Sequence, residues 1–346
     1  MSASVRSGGI DLGRILAIVS VVGIHTFGYA ATVPAVGETY ARVMVMAVFR
    51  WSVPFLFLVS GYLHAIKGEV AESTSWLWRR VYRLGVLYLA WSAIYRLISL
   101  AGTGRAYSLG QLRLDLMYGD AGSHLWFLGA LIQITVLTWL ARRYLREVDV
   151  MLPTALGLFT IQLGIAAFGA QLPGLLGEYL VEHWFGTPVF WWVFYLLGFS
   201  AVNGVVSRCK PRPAVLVAVI VAGALLAVAR FTPLAQIGPA LVRSVFSSVS
   251  YHVGYSVVAV AAGLLAVRAT WPSTRMLASL GGVALGVYLL HFYVLQRWID
   301  VVAPERWGGL APLWPVITVF VVAVVSAALA WSLSRVPWVR GLVKTS

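Results

Sequence analysis

Apolar residues run along the chain in long blocks, each close to the length of a bilayer-spanning helix and each closed by a short polar segment. Ten such blocks are read, near 10–30, 40–66, 77–100, 123–141, 150–169, 189–206, 213–229, 242–267, 276–297 and 312–334. A helix needs about 20 apolar residues to cross the hydrocarbon core. The pattern therefore predicts an all-α polytopic membrane helix bundle of about ten transmembrane helices. With no repeat of domain-like period, no low-complexity tract and no soluble linker, residues 1–346 are expected to form a single integral-membrane domain.

Composition supports this reading: 60% of the 346 residues are hydrophobic and 11% charged, against about 25% charged in soluble domains. A soluble globule is excluded. The 26 Lys and Arg exceed the 12 Asp and Glu by fourteen, and their placement decides what that excess means. Basic residues in short loops mark the cytoplasmic side, and here they alternate. Sixteen fall on one side, among them Arg79, Arg80, Arg83, Arg142, Arg143, Arg146 and Arg268, and seven on the other, including Arg105, Arg230 and Arg297. Both termini are expected to be cytoplasmic, and the positive charge reads as topology rather than as a nucleic-acid surface. Arg6 before the first block resembles the start of a signal peptide, but Asp11, Arg14 and His25 interrupt or flank that block, unlike a secretory core. The lone Cys209 leaves neither a disulfide framework nor a thiol metal site.

Three arginines, Arg14, Arg50 and Arg96, fall inside predicted spans. Arg at bilayer depth costs at least about 2.5–3.5 kcal/mol and usually faces a cavity or a partner. Arg96, near the outer end of its span, is expected to snorkel to the interface. Arg14 and His25 are eleven positions apart on the first span. Eleven steps of a helix overshoot three turns by only about 20°, so both side chains share a face, about 16 Å apart along the axis. Imidazole is the side chain suited to proton exchange near neutral pH; an interhelical hydrogen bond is the alternative role of such a His.

The second span carries Arg50, then Pro54, which frees a carbonyl, and Ser60-Gly61-Tyr62, where another helix or a ligand can come close. The third opens with WLWRRVYRLG, where Arg80 and Arg83 share a face beside Arg79. Clustered guanidiniums suit a phosphate; an ordinary basic flank with interfacial tryptophans is the other reading. His291, with Tyr288 one turn away, lies in the outer half of the ninth span, and His252 midway along the eighth reads as a helix-bridging residue. Gly282 and Gly286 read as helix packing. The outer segment 171–188, with Glu178, Glu182, His183 and Trp184, reads as an aromatic belt or a sugar-stacking surface. No P-loop, dinucleotide, HExxH or CxxC pattern occurs.

Five elements in order, DLGRILAIVSVVGIH (Asp11 to His25), VPFLFLVSGYL, RVYR, HLWFLGAL (His124 to Leu131, with Trp126) and LGVYLLH (Leu285 to His291), resemble the acyltransferase-3 family of bacterial integral-membrane acyltransferases. The second-span form is most similar to the short, single-domain branch that O-acetylates cell-surface polysaccharides. The resemblance implies a catalytic His25 with Arg14, positioned by Asp11, and a donor end at Arg79, Arg80, Arg83 and Ser60-Gly61-Tyr62. Arg50, Trp126, Tyr288 and His291 would support the acceptor side. It further implies an acyl-CoA donor, commonly acetyl-CoA, no permanently bound cofactor and no metal. The expected setting is the multi-pass plasma membrane, with an extracytoplasmic glycan or lipid-linked acceptor; self-association into a homo-oligomer is left open. His25 would act as general base in direct transfer, or be acylated as a relay. The competing class is a transporter of a glycan precursor or small organic anion, which ten helices and intramembrane arginines would also suit. Against it stand the absence of any mid-span acid and of an inverted hydropathy repeat.

Overall fold

The structure, a computed structural model, describes residues 7–68, 73–103, 108–145, 147–168, 188–237, 239–269 and 271–344. Arg6, Arg105, Arg146 and residues 171–187 of the outer segment lie outside the described residues. The helices are α1 (Gly8–Ala30), α2 (Glu38–Val43) running into a π-helical turn (Met44–Phe49), α3 (Ser52–Ala65), α4 (Thr74–Thr103), α5 (Leu109–Tyr118), α6 (Trp126–Leu145) and α7 (Val148–Phe168). They continue with α8 (Pro188–Asn203), α9 (Val205–Arg208), α10 (Pro213–Val228), α11 (Ala240–Arg268), α12 (Arg275–Val301), α13 (Trp314–Leu333) and α14 (Arg340–Val343). Among the described residues there is no β-strand, and the all-α membrane bundle expected from the sequence is what forms.

Every predicted span coincides with a helix. Among the described residues eight segments are long and apolar enough to cross a membrane: Gly8–Ala30, Glu38–Ala65, Thr74–Gly102, Val148–Ile165, Pro213–Phe231, Val245–Arg268, Arg275–Val301 and Pro304–Leu333. The spans read near 123–141 and 189–206 fall short of that standard for different reasons. Arg142 and Arg143 close the apolar run of α6, and α8 is 16 residues long.

Packing divides the chain into two compact units, Met1–Val59 with Pro211–Ser346, and Ser60–Lys210. In the first, α1, α11 and α12 are the enclosed helices, with 56–61% of their apolar windows buried, whereas Pro213–Phe231 and Pro304–Leu333 have only 17% and 28% buried and present valine, leucine and phenylalanine outward. The enclosed three therefore give polar side chains the most shelter from lipid, with Ser52, Thr318 and Ser326 buried on their neighbours. Local signals fix where these helices begin. Ser7 caps α1, accepting from the Ile10 amide, and Thr274 caps α12 through Leu277. The Gly8 amide donates to the Trp271 carbonyl at 3.0 Å, and Ser273 Oγ donates to Asp11 Oδ2 at 2.6 Å. The start of α1, the end of α11 and the start of α12 are thus tied together at one end of the unit. At the other end Phe27, Val33, Val36, Leu295 and Trp314 form an apolar core.

The predicted span at 40–66 is one stretch with a break. Its π-helical turn ends at Arg50, whose amide reaches back to the Val45 carbonyl at 3.0 Å, and Ser52 Oγ caps the Phe49 carbonyl at 2.8 Å. Pro54 cannot donate to the Arg50 carbonyl four residues earlier, so the ladder is interrupted there. π-Helical turns recur at functional sites because they re-aim side chains within a helix.

In the second unit α4, α6, α7 and α8 pack around aromatic side chains. The end of α3 meets α8 so closely that a Cβ on Gly61 would stand 1.9 Å from the Tyr195 carbonyl oxygen. Arg96 does not snorkel, contrary to expectation. Its Nε and Nη2 fork onto the Asp115 carboxylate on α5, a buried acid that satisfies the guanidinium in place. Gly286 of α12 packs against Ala330 and Val343, as its spacing foretold; the nearest neighbour of Gly282 is the Lys344 side chain, at 3.7 Å.

Candidate active site

His25 on α1, His291 on α12 and His252 on α11 occupy the three enclosed helices of the first unit. Each stands sixteen or seventeen positions from the tied end, which at 1.5 Å per residue is roughly 25 Å along its helix. The three imidazoles therefore share one depth. The His25 and His291 rings lie 5.2 Å apart between centroids, with Phe292 edge-on to His25 at 5.5 Å and Tyr288 at 5.9 Å from His291.

Hydrogen bonds assign the proton on two of these rings. His291 Nδ1 is 2.6 Å from the Tyr288 carbonyl and His252 Nδ1 is 2.7 Å from the Ser248 carbonyl. A carbonyl oxygen only accepts, so in each case Nδ1 carries the hydrogen and Nε2 is the basic atom of the neutral ring. Fractional exposure separates the three. His291 is 0% and His252 6% exposed, whereas His25 is a partly exposed residue. Of the three, His25 is the imidazole best able to meet a substrate.

Arg50, re-aimed by the π-helical turn, places its positive charge within electrostatic reach of His25, His252 and Tyr255. Because α1 is unbroken from Gly8 to Ala30, Arg14 lies on the His25 face as the sequence spacing requires, nearer the tied end.

The second unit holds a separate polar group. His64 Nδ1 and the Tyr195 hydroxyl are 2.6 Å apart, both side chains buried, and Trp76 and Phe199 flank the imidazole at 4.5 and 5.2 Å. The Arg80 guanidinium lies 5.6 Å from the centre of the Trp76 ring and that of Arg142 lies 5.9 Å from Phe199. Both charges reach His64. Of the three arginines read as a donor cluster, Arg80 is drawn into this group, while Arg79 and Arg83 are exposed. Gly61 is buried against α8, with Ser60 and Tyr62 partly buried beside it. Trp126 stacks on Trp191 at 5.4 Å.

With this geometry in hand, the chain can be compared with known proteins. Residues 7–334 match the acyltransferase domain of the acyltransferase-3 family. The chain belongs to the acyltransferase-3 family. An amino-acid racemase of Enterococcus faecalis is 32% identical over 145 residues, a match that covers 40% of this chain and 20% of that protein. The chain thus spans about a fifth of the curated relative it matches. No solved structure matches it.

The reading of the sequence named His25, Arg14, Arg50, Tyr288 and His291, and all five lie in the first unit with His25 and His291 in ring contact. It missed His64, Tyr195 and Arg142. The only signal was a lone histidine at the end of an apolar run, and its tyrosine partner lies 131 positions away. Among the described residues no group of His, Cys, Asp and Glu could hold a metal ion.

Proposed function

We propose that the chain transfers an acyl group, most simply acetyl, from acyl-CoA to a hydroxyl of an extracytoplasmic or membrane-associated acceptor, a cell-surface glycan, at the plasma membrane. The observation that carries this reading is His25: a partly exposed histidine on an enclosed helix, in contact with His291, in a chain of this acyltransferase family. His25 removes the proton from the acceptor hydroxyl as its oxygen attacks the thioester carbonyl. The carbon–sulfur bond then breaks, and the CoA thiolate leaves and takes up a proton. Positioned proton transfer of this kind contributes about 10²–10⁴-fold. His291, held by the Tyr288 carbonyl, orients His25, and Arg14 and Arg50 supply positive charge where the thioester oxygen becomes negative.

Donor binding falls to the arginine side of the second unit. Arg80, with Arg79 and Arg83 on the same helix, offers forked donors to the phosphates of CoA, and Arg142 joins them. Ser60, Gly61 and Tyr62 shape the neighbouring backbone. The basic loops support a cytoplasmic position for these arginines, where acyl-CoA is made.

The test uses purified protein in vesicles with labelled acetyl-CoA and an extract of surface glycans. Label transferred to glycan by wild-type protein but not by His25→Ala supports the reading. Solute uptake without acyl transfer overturns it in favour of an anion carrier.

A further inference from the structure

Beside His25, the same unit carries a group of polar aromatic side chains that proton transfer does not use. On α11, Tyr251, His252 and Tyr255 pack ring to ring, with centroids 4.9 Å apart for Tyr251 and His252 and 5.0 Å apart for Tyr251 and Tyr255. The Arg230 guanidinium, just past α10, lies 5.2 Å from the Tyr251 ring centre and 5.4 Å from that of Phe231. A guanidinium stacked between two rings is pre-positioned, and its N–H groups remain in the plane to fork a carboxylate or phosphate. The ion pairs among the described residues do not engage Arg230.

A second observation is independent of that charge. Tyr255 is 1% exposed, and its hydroxyl has no hydrogen-bond partner. Buried hydroxyls nearly always find a partner, and one left without is costly in a dry interior. The two buried carboxylates among the described residues are Asp11, at the tied end of α1, and Asp115, in the other unit. The Tyr255 ring therefore lies beside Tyr251, on which the Arg230 guanidinium stacks, with no buried carboxylate of this unit nearer than the tied end, and this suits an oxygen-rich anion.

We propose that Arg230 and Tyr255 form the acceptor subsite and that the acceptor is an acidic sugar, bearing a carboxylate or phosphate close to the hydroxyl that is acylated. The anion is forked by the Arg230 guanidinium, and the Tyr255 hydroxyl donates to it or to a neighbouring sugar oxygen. This specificity rests on the acyl-transfer reading above.

The experiment measures kcat/KM for acetyl transfer to three probes, methyl glucuronide, methyl glucoside 6-phosphate and neutral methyl glucoside, with the full chain in nanodiscs. One or both anionic probes exceed the neutral one by about tenfold or more, as one charge-assisted hydrogen bond would give, and the two anionic arms tell carboxylate from phosphate. Arg230→Gln collapses that ratio, Arg230→Lys keeps part of it, and Arg297→Gln, an exposed outer arginine, leaves it unchanged. Equal rates for all three probes, or a ratio that survives Arg230→Gln, overturn the proposal. Failure of the acyl-transfer reading shows separately, as no labelling of any probe. The subsite is then judged on direct binding of the two anionic probes: a Kd weakened about tenfold or more in both Arg230→Gln and Tyr255→Phe supports it, and an unchanged Kd overturns it.

Discussion

Gly61→Ala isolates what the Ser60-Gly61-Tyr62 motif does. A Cβ there would lie 1.9 Å from the Tyr195 carbonyl oxygen, 2.7 Å from its carbon and 3.0 Å from its Cα. All three are backbone atoms, so no side chain can swing aside, and α3 and α8 must part by roughly 1.5 Å to restore ordinary contact. Overpacking of this kind costs about 1–3 kcal/mol, while exchanging Gly for Ala inside a helix returns up to about 1 kcal/mol. Parting the helices also stretches the 2.6 Å bond between Tyr195 and His64, at about 1 kcal/mol. The net loss is about 1–3 kcal/mol, and at about 2–4 °C for each kcal/mol the melting temperature in detergent falls by roughly 5 °C. Donor KM rises with it, because Tyr195 and His64 adjoin Arg80. Gly85→Ala on α4, where a Cβ meets nothing within 4 Å, is the control and melts no lower than wild type. Were Gly61→Ala to melt at or above wild type, the close approach of α3 and α8 would not be what the glycine is for.

Three other outcomes follow from named contacts. Arg96→Met strands the buried Asp115 carboxylate and costs about 3–5 kcal/mol; the double variant with Asp115→Leu regains much of that, both read by thermal melting. Tyr195→Phe leaves the buried His64 Nδ1 without its partner and lowers stability by about 1–3 kcal/mol; an unchanged melting temperature would mean the bond contributes nothing. Arg80→Gln and Arg142→Gln each raise the donor KM by about tenfold, the loss of one charge-assisted hydrogen bond, with kcat little altered. A donor KM that does not move would return both arginines to helix packing.

How far the sequence reached depended on how local the deciding interaction was. The membrane spans were legible because apolar runs depend on no other part of the chain, and so was the shared face of Arg14 and His25, which follows from helix geometry alone. The break at Arg50 could be anticipated from Pro54, but the π-helical turn that re-aims Arg50 could not. Helix α5 was overlooked within an outer loop, although Ser108 caps its start and Gly119, at φ 71°, closes its end, both ordinary capping signals. Arg96 was misread because its partner Asp115 lies on that overlooked helix. The meeting of His25 with His291, 266 positions apart, depends on which helices pack together, and no pattern within either helix specifies that.

The account stands on His25 as the base that activates the acceptor hydroxyl. The direct measurement is acetyl transfer from labelled acetyl-CoA by His25→Ala in nanodiscs, with kcat and donor KM determined separately against wild-type protein of equal thermal stability. The expected result is a kcat lowered by about 10²–10⁴-fold, with donor KM within about threefold, since the donor is held elsewhere. A kcat within about tenfold of wild type would contradict the assignment, being less than a positioned general base contributes.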